Sequence, residues 1–238
     1  MAFNRNPFAG LRLFEEVIGS PNLVSLWLMN ETSGTLYDRS IVNRYDATVS
    51  GNPDYSKLIT SAYGLDFEGS DYASIGDVAG LDFAKSDTFS IMVIVDPNIS
   101  ALGEILSKWS GVVSDAGWAL GFNSTRTWRL LLQNSETNAL EVRSNAALTN
   151  GVDKMLLVTY AGTSAAAGIV MYENGVAVAM ATTTNALSLS IDNAVAAVIG
   201  GHSDGSGSMD GDLAFLTVWN KVVSAEDARR YAIIGGFL

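Results

Sequence analysis

At 238 residues the chain exceeds the commonest domain size, yet it suits one all-β sandwich with a large core. No cysteine is present, which excludes a disulfide framework and a thiol nucleophile, and no apolar run is long enough to span a bilayer. Fourteen Lys and Arg against 25 Asp and Glu leave a net charge of −11, which disfavours nucleic acid, anionic membranes and polyanionic glycans. Hydrophobic residues still make up 48% of the chain and the mean hydropathy is positive, a composition that predicts extra apolar surface buried between subunits.

Residues 1–21 read as an arm carrying an accessory helix. Asn6 suits a cap, Pro7 suits the first helical position, and Gly19 with Pro21 stops the run. Leu11, Phe14 and Ile18 fall near one face, which either closes an end of the core or docks on a partner. Glu15-Glu16 interrupts any secretory leader, so synthesis in the cytoplasm without a signal peptide is expected. Assembly into a larger particle is the expected destination, with a cytoplasmic or non-classically exported protein as the alternative. Residues 22–238 then read as one sandwich domain.

Strands are predicted at 23–29, 47–49, 64–67, 72–75, 89–95, 103–108, 118–122, 128–133 and 140–144. Further strands follow at 155–160, 169–173, 176–180, 194–199 and 213–219. Asn174-Gly175 between two apolar runs is a type I′ hairpin signal and sets Glu173 against Val176, Met171 against Val178 and Ile169 against Met180. Val170, Tyr172, Ala177 and Ala179 then share the opposite face, so both faces are apolar and the second needs a cover. Together with Leu11, Phe14 and Ile18 they make up the expected assembly surface. Ser224-Ala-Glu-Asp227 is a capping box opening a short helix to about Ile234.

Several segments in order carry a family resemblance. LVSLWLMNETSGTLYDRS, LDFEGSDYASIGDVAGLDFAKSDTFSIMVIVDP, ILSKWSG with GWALGFN, LLVTYAG with GIVMYENGVAVA, and MDGDLAFLTVWNKVVSAED span residues 22–234. Together they resemble the laminin G-like, concanavalin A-like jelly-roll family. The resemblance implies an antiparallel jelly-roll β-sandwich with a short C-terminal helix, and constrains function less than fold. The family's usual glycines near residue 41 are replaced by Ile41, Val42 and Arg44.

Glucanases of that superfamily carry E-x-D-x-E or E-x-D-x-x-E on one strand, where alternation points the carboxylates to one face. Neither spacing occurs here, His202 reads as a solvated loop residue, and no serine has a histidine partner evident from sequence, so no catalysis is expected. Relatives often bind calcium at the rim through hard oxygen ligands. Asp204, Asp210 and Asp212 form one candidate group and Asp38, Asn43 and Asp46 another, while ordinary turn chemistry is the alternative and the preferred reading for both. Sugar binding in this fold uses aromatic platforms, for which Trp109, Trp128, Tyr45 and Tyr72 are the candidates. The expected function is a non-catalytic recognition or assembly module. It resembles sandwich domains of bacteriophage particles and would be bound to capsid or tail, or be a homo-oligomer. A free-standing glycan-binding lectin is the alternative, and a glycoside hydrolase or polysaccharide lyase the third reading.

Overall fold

The computed structural model describes residues 9–59 and 62–238, and the side chains of residues 12–55, 59 and 63–238. A helix, α1 (Ala9–Ile18), leads into β1 (Leu23–Trp27), β2 (Thr48–Ser50), β3 (Asp54–Ile59), β4 (Ala62–Glu68) and β5 (Tyr72–Gly76). There follow β6 (Thr88–Pro97), β7 (Gly103–Lys108), β8 (Gly117–Phe122), β9 (Trp128–Ser135), β10 (Asn138–Ser144) and β11 (Lys154–Ala161). The chain ends with β12 (Ile169–Glu173), β13 (Val176–Ala177), β14 (Met180–Asn185), β15 (Ala197–Ile199), β16 (Asp210–Trp219) and α2 (Ala225–Gly235).

The strands form two antiparallel sheets of eight. The first runs β13-β12-β11-β6-β16-β4-β3, with β1 beside the second half of β16; the other runs β14-β10-β9-β8-β7-β15-β5-β2. Between them lies a core that includes Trp27, Phe67, Phe89, Trp118, Trp128, Leu130 and Val158, the jelly-roll sandwich expected. β6 shows why both faces of the first sheet are apolar. Ile91, Val93 and Val95 point into the core, while Met92 and Ile94 point outward.

That outward face is covered from within the chain. Leu13 and Val17 of α1 and Ala228, Tyr231 and Ala232 of α2 bury Met92, Ile94, Met155, Leu157, Tyr172 and Trp219. The Trp219 and Tyr231 rings stack in parallel with centroids 5.8 Å apart. Ser224 caps α2 by accepting from the Asp227 amide, and Gly236 ends it at φ 82°. Arg230 of α2 and Glu16 of α1 pair at 3.1 Å, joining the two helices.

This arrangement corrects the assembly surface. Phe14, Ile18, Val170 and Tyr172 pack against the helix-covered cluster, so this chain's own residues supply the cover expected for that part of the surface. Ala177 and Ala179 are exposed, and the side chain of Leu11 lies outside the described residues. The turn itself is as expected: Glu173 faces Val176, and Gly175 at φ 75° lies so close to α2 that a Cβ would come within 2.7 Å of Ala232. The hairpin then ends early. Val178 still donates to Met171, but the Ala179 carbonyl accepts from Asn145 and Met180 pairs with Ser144 in the other sheet. The chain changes sheets between neighbouring residues. Two strands escaped the sequence reading, β3 and the threonine-rich β14, because neither carries an apolar run.

Candidate functional site

Among the described residues, no helix lies on the outer face of the second sheet. Alternation sends Leu120, Trp118, Leu130, Leu132, Leu140 and Val142 inward, which leaves Ala119, Gly121, Arg129, Leu131, Gln133, Ala139, Glu141 and Arg143 on the outside. In register across the strands, Arg143 lies opposite Arg129, Arg129 opposite Gly121, and Gly121 opposite Glu104. Gly121 is what lets the ends of this row meet. A Cβ there would come within 2.0 Å of Glu104 Oε2, so the missing side chain is the space the carboxylate occupies.

A buried charge network results. Arg129 Nη2 donates to Glu104 Oε1, Arg129 Nη1 lies 3.9 Å from Glu141 Oε1, and Arg143 Nη2 donates to Glu141 at 3.0 Å. His202 is buried, not solvated. Its Nε2 is 3.4 Å from Glu104 Oε1, its Nδ1 is 3.1 Å from Ser206 Oγ, and its ring meets Trp109 edge-on at 4.9 Å. Burial pushes the Glu104 carboxyl up, but Arg129 and the His202 contact outweigh it and hold the group below the usual carboxylate range.

Two loops wall the face. Residues 109–116 are held by Gln133 Nε2, which donates to the Asp115 carbonyl at 2.9 Å, and by Trp109 Nε1, which donates to the Val112 carbonyl at 3.0 Å. Residues 200–208 are held by Ser107 Oγ, which donates to the Gly201 carbonyl at 2.7 Å, and by the Glu104 amide, which donates to the Gly207 carbonyl at 2.9 Å.

The four aromatic candidates separate cleanly. Trp128 is fully buried in the core with Nε1 donating to Glu173, so it offers no face to a sugar. Trp109 forms part of the open-face wall, but burial of its ring against Ala119, Leu131 and Ala139 closes it to stacking. Tyr45 packs over Gly80, where a Cβ would come within 2.6 Å of the ring. Tyr72 alone of the four stands half-buried on the open face, beside Gly205 of the 200–208 loop.

Neither candidate calcium group fits an ion. Asp38 accepts three backbone amides, from Leu26, Ser40 and Tyr45, and Asp46 accepts the amide of Asp38 itself. Asn43 turns its amide to the Val24 carbonyl. Asp204 accepts the amide and hydroxyl of Ser206, and Asp210 accepts from Asn98. Asp212 lies within β16, between Asp96 and Asp66, and not on a flexible loop. Asp38, Asp46, Asp204 and Asp210 are thus engaged by donors of their own turns and neighbouring strands, and no group of three acidic or histidine side chains among the described residues is placed to hold a metal.

Sequence reasoning missed Glu104, Arg129, Glu141 and Arg143, because they come from three strands and no linear spacing links them. One clue was available: a charge inside an otherwise apolar strand such as GEILSK, WRLLLQ or LEVR must find a partner or reach solvent.

A profile of the concanavalin A-like lectin/glucanases superfamily, of laminin G type, matches residues 67–229. The chain belongs to this superfamily. No curated protein is similar to it in sequence at a significant level. Among solved structures it is similar to domain 4 of AbnA, an extracellular arabinanase from Geobacillus stearothermophilus, in complex with arabinotriose. There the TM-score is 0.63 at 13% identity over 89% of this chain and 98% of that one. A CBM40 module of a Ruminococcus gnavus sialidase bound to α2,3-sialyllactose gives a TM-score of 0.56 at 15% identity, over 72% and 96% of the two chains. The binding domain of Paraclostridial Mosquitocidal Protein 1 gives 0.64 at 10% identity, over 89% of this chain but only 52% of that one. The chain thus spans about half of that binding domain, and at such identities the likeness is one of fold.

Proposed function

We propose that the chain is a non-catalytic recognition module that binds neutral glycans on the open face of the second sheet. The observation that carries this is a strip of paired charges on the uncovered face, where Arg143 and Glu141 reach the surface beside buried Arg129 and Glu104. Guanidinium donors and a carboxylate acceptor side by side suit sugar hydroxyls, each of which both donates and accepts. Arg129 and Arg143 cancel Glu104 and Glu141, so the strip favours an uncharged ligand, as does the net charge of −11. Tyr72 supplies an aromatic surface at its edge. The arabinotriose complex of a structural neighbour supports the class of ligand by likeness of fold. Catalysis is disfavoured by charge: a glycosidic acid needs a raised pKa, whereas Arg129 holds Glu104 ionised.

A neutral-oligosaccharide array followed by titration calorimetry tests the reading. Arg143, with 31% of its side chain exposed, can be removed without opening the core, and Arg143→Ala is expected to weaken binding about tenfold, or about 1.4 kcal/mol. Unchanged affinity, or an array without a single binder, overturns it.

Attachment to a virus capsid or tail stands as the second reading. It is favoured by Ile41 and Val42, 77% and 83% exposed at the tip of a loop braced by Asp38 and Asn43. Light scattering with full-length protein and an Ile41→Ser/Val42→Ser variant addresses self-association through this tip. A monomer at all concentrations removes that arm of the reading.

A further inference from the structure

His202 is the chain's single histidine, and both loops that wall the open face close on its ring. Gly111 lies in the first loop at φ 83° and Gly207 in the second at φ 61°. A Cβ would come within 2.6 Å of Nδ1 at Gly111 and within 2.4 Å of Cε1 at Gly207, so each loop gives up a side chain to seat the ring. The hydrogen bonds then fix its protons. Ser206 Oγ has one proton and gives it to Asp204 Oδ1 at 2.6 Å, a bond that holds the Asp204 carboxyl below its usual range. His202 Nδ1, 3.1 Å from the same Oγ, must therefore donate. Glu104, which burial pushes up and Arg129 holds down, is ionised and offers only lone pairs, so Nε2 at 3.4 Å must donate as well. A neutral imidazole carries one N–H, and this arrangement uses two: it is that of the imidazolium.

We propose that His202 is the positioning residue of the open face: its second proton fastens both wall loops to the Glu104–Arg129 strip, and the loops loosen as that proton leaves. The consequence for ligand rests on the glycan reading above. Charge balance agrees. With His202 charged, Arg129, Arg143 and His202 match Glu104, Glu141 and Asp204, whereas a neutral ring leaves one negative charge over. The other elements around the ring add little charge. In the 109–116 loop the one ionisable side chain is Asp115, which accepts from Ser110 Oγ, β8 contributes Gly121, and β5 contributes Tyr72 beside Gly205. As pH rises, Nδ1 is the nitrogen that gives up its proton, because the Glu104 carboxylate holds the one on Nε2. The Ser206 hydroxyl then turns from Asp204 to Nδ1, and Asp204 keeps only the Ser206 amide. The 200–208 turn loses a side-chain lock, and the ring passes the change to the 109–116 loop through Gly111 and Trp109. Binding on the strip is therefore expected to be tighter in mild acid and to weaken across the range where histidine loses its charge, about pH 5 to about pH 8.

Because His202 is the only histidine, long-range proton–nitrogen NMR spectra of its ring can be read directly in the full wild-type chain. Both nitrogens are expected to be protonated in acid and Nε2 alone at high pH, with the backbone amides of 109–116 and 200–208 shifting at the same midpoint. Ser206→Ala cuts the link to Asp204 at an exposed position, so the 200–208 amides should stop following the ring while those of 109–116 still do. His202→Gln has no proton to lose in this range and should abolish both movements; if it does not fold, the wild-type and Ser206→Ala spectra decide. With the strongest neutral oligosaccharide from the array, wild-type affinity is expected to fall about tenfold over the same range, the worth of one charge-assisted hydrogen bond, and to stay level in His202→Gln. Loop amides that ignore the ring's titration overturn the proposal, as does a wild type whose affinity stays level. An array without a binder overturns the glycan reading alone, and the ring and loop spectra still decide this one.

Discussion

The two outer faces of the sandwich have the same geometry and opposite chemistry. On the first sheet, alternate positions of β6, β11 and β12 place Met92, Ile94, Met155, Leu157 and Tyr172 outward, and helices from both parts of the chain cover them. On the second, the equivalent positions hold Ser107, Ala119, Gly121, Arg129 and Glu141, and no helix among the described residues lies over them. An apolar face has to be buried against something, while a face of small and paired charged residues does not. The high apolar content that suggested a subunit interface is accounted for by this second, helix-covered layer. The lesson is that a chain able to fold its own amphipathic helices over a sheet needs no partner for that purpose, and the uncovered sheet is where a ligand can reach.

Substitutions can break this contrast at either face. The largest effect is expected from Trp219→Ala, which removes the ring stacked on Tyr231 beneath α2. It should cost about 3–5 kcal/mol in urea unfolding while leaving glycan binding intact at low temperature. A loss under about 1 kcal/mol would mean that the helices are not sealing the face. Next comes Glu104→Gln on the open face, worth about 2 kcal/mol at neutral pH because a charged partner of Arg129 is lost. The Glu104 carboxyl titrates lower in the folded than in the unfolded chain, so its contribution is present above the unfolded value near about pH 4.3 and fades as pH falls through the folded value. The gap between variant and parent should therefore narrow in acid; a gap independent of pH would assign the effect to packing. The smallest effect belongs to Ser224→Ala, which removes the cap of α2 and should cost about 1 kcal/mol. Hydrogen exchange should show that loss confined to α2 and the residues beneath it.

Much of the fold was legible because one-dimensional signals fixed it. Asn174-Gly175 announced its turn, Ser224 its helix, and FSIMVIV its doubly buried strand. The early end of the hairpin was not legible, since nothing in VAVAM says that Ala179 will bond to the other sheet. Nor was the network at Glu104. Its members become neighbours only through the order of β7, β8, β9 and β10, and through the absence of a Cβ at Gly121. His202 illustrates the same point: HSDGSGSM has the composition of a solvated loop, yet Ser107 and the Glu104 amide pin that loop down and enclose the ring.

The position of β16 has a consequence for the order in which the protein can be made. This strand, Asp210–Trp219, is synthesised after all the strands it joins, yet it is inserted between β6 and β4 and also holds β1. On the ribosome the second sheet has all its strands once residue 199 has emerged, whereas the first still has a gap in its middle. Until β16 arrives, β6 and β4 present bare edges and unlidded apolar side chains, the condition most prone to aggregation during synthesis. Folding of the first sheet is then a late, non-local event that closes contacts across almost the whole chain, and it is expected to be the slow step.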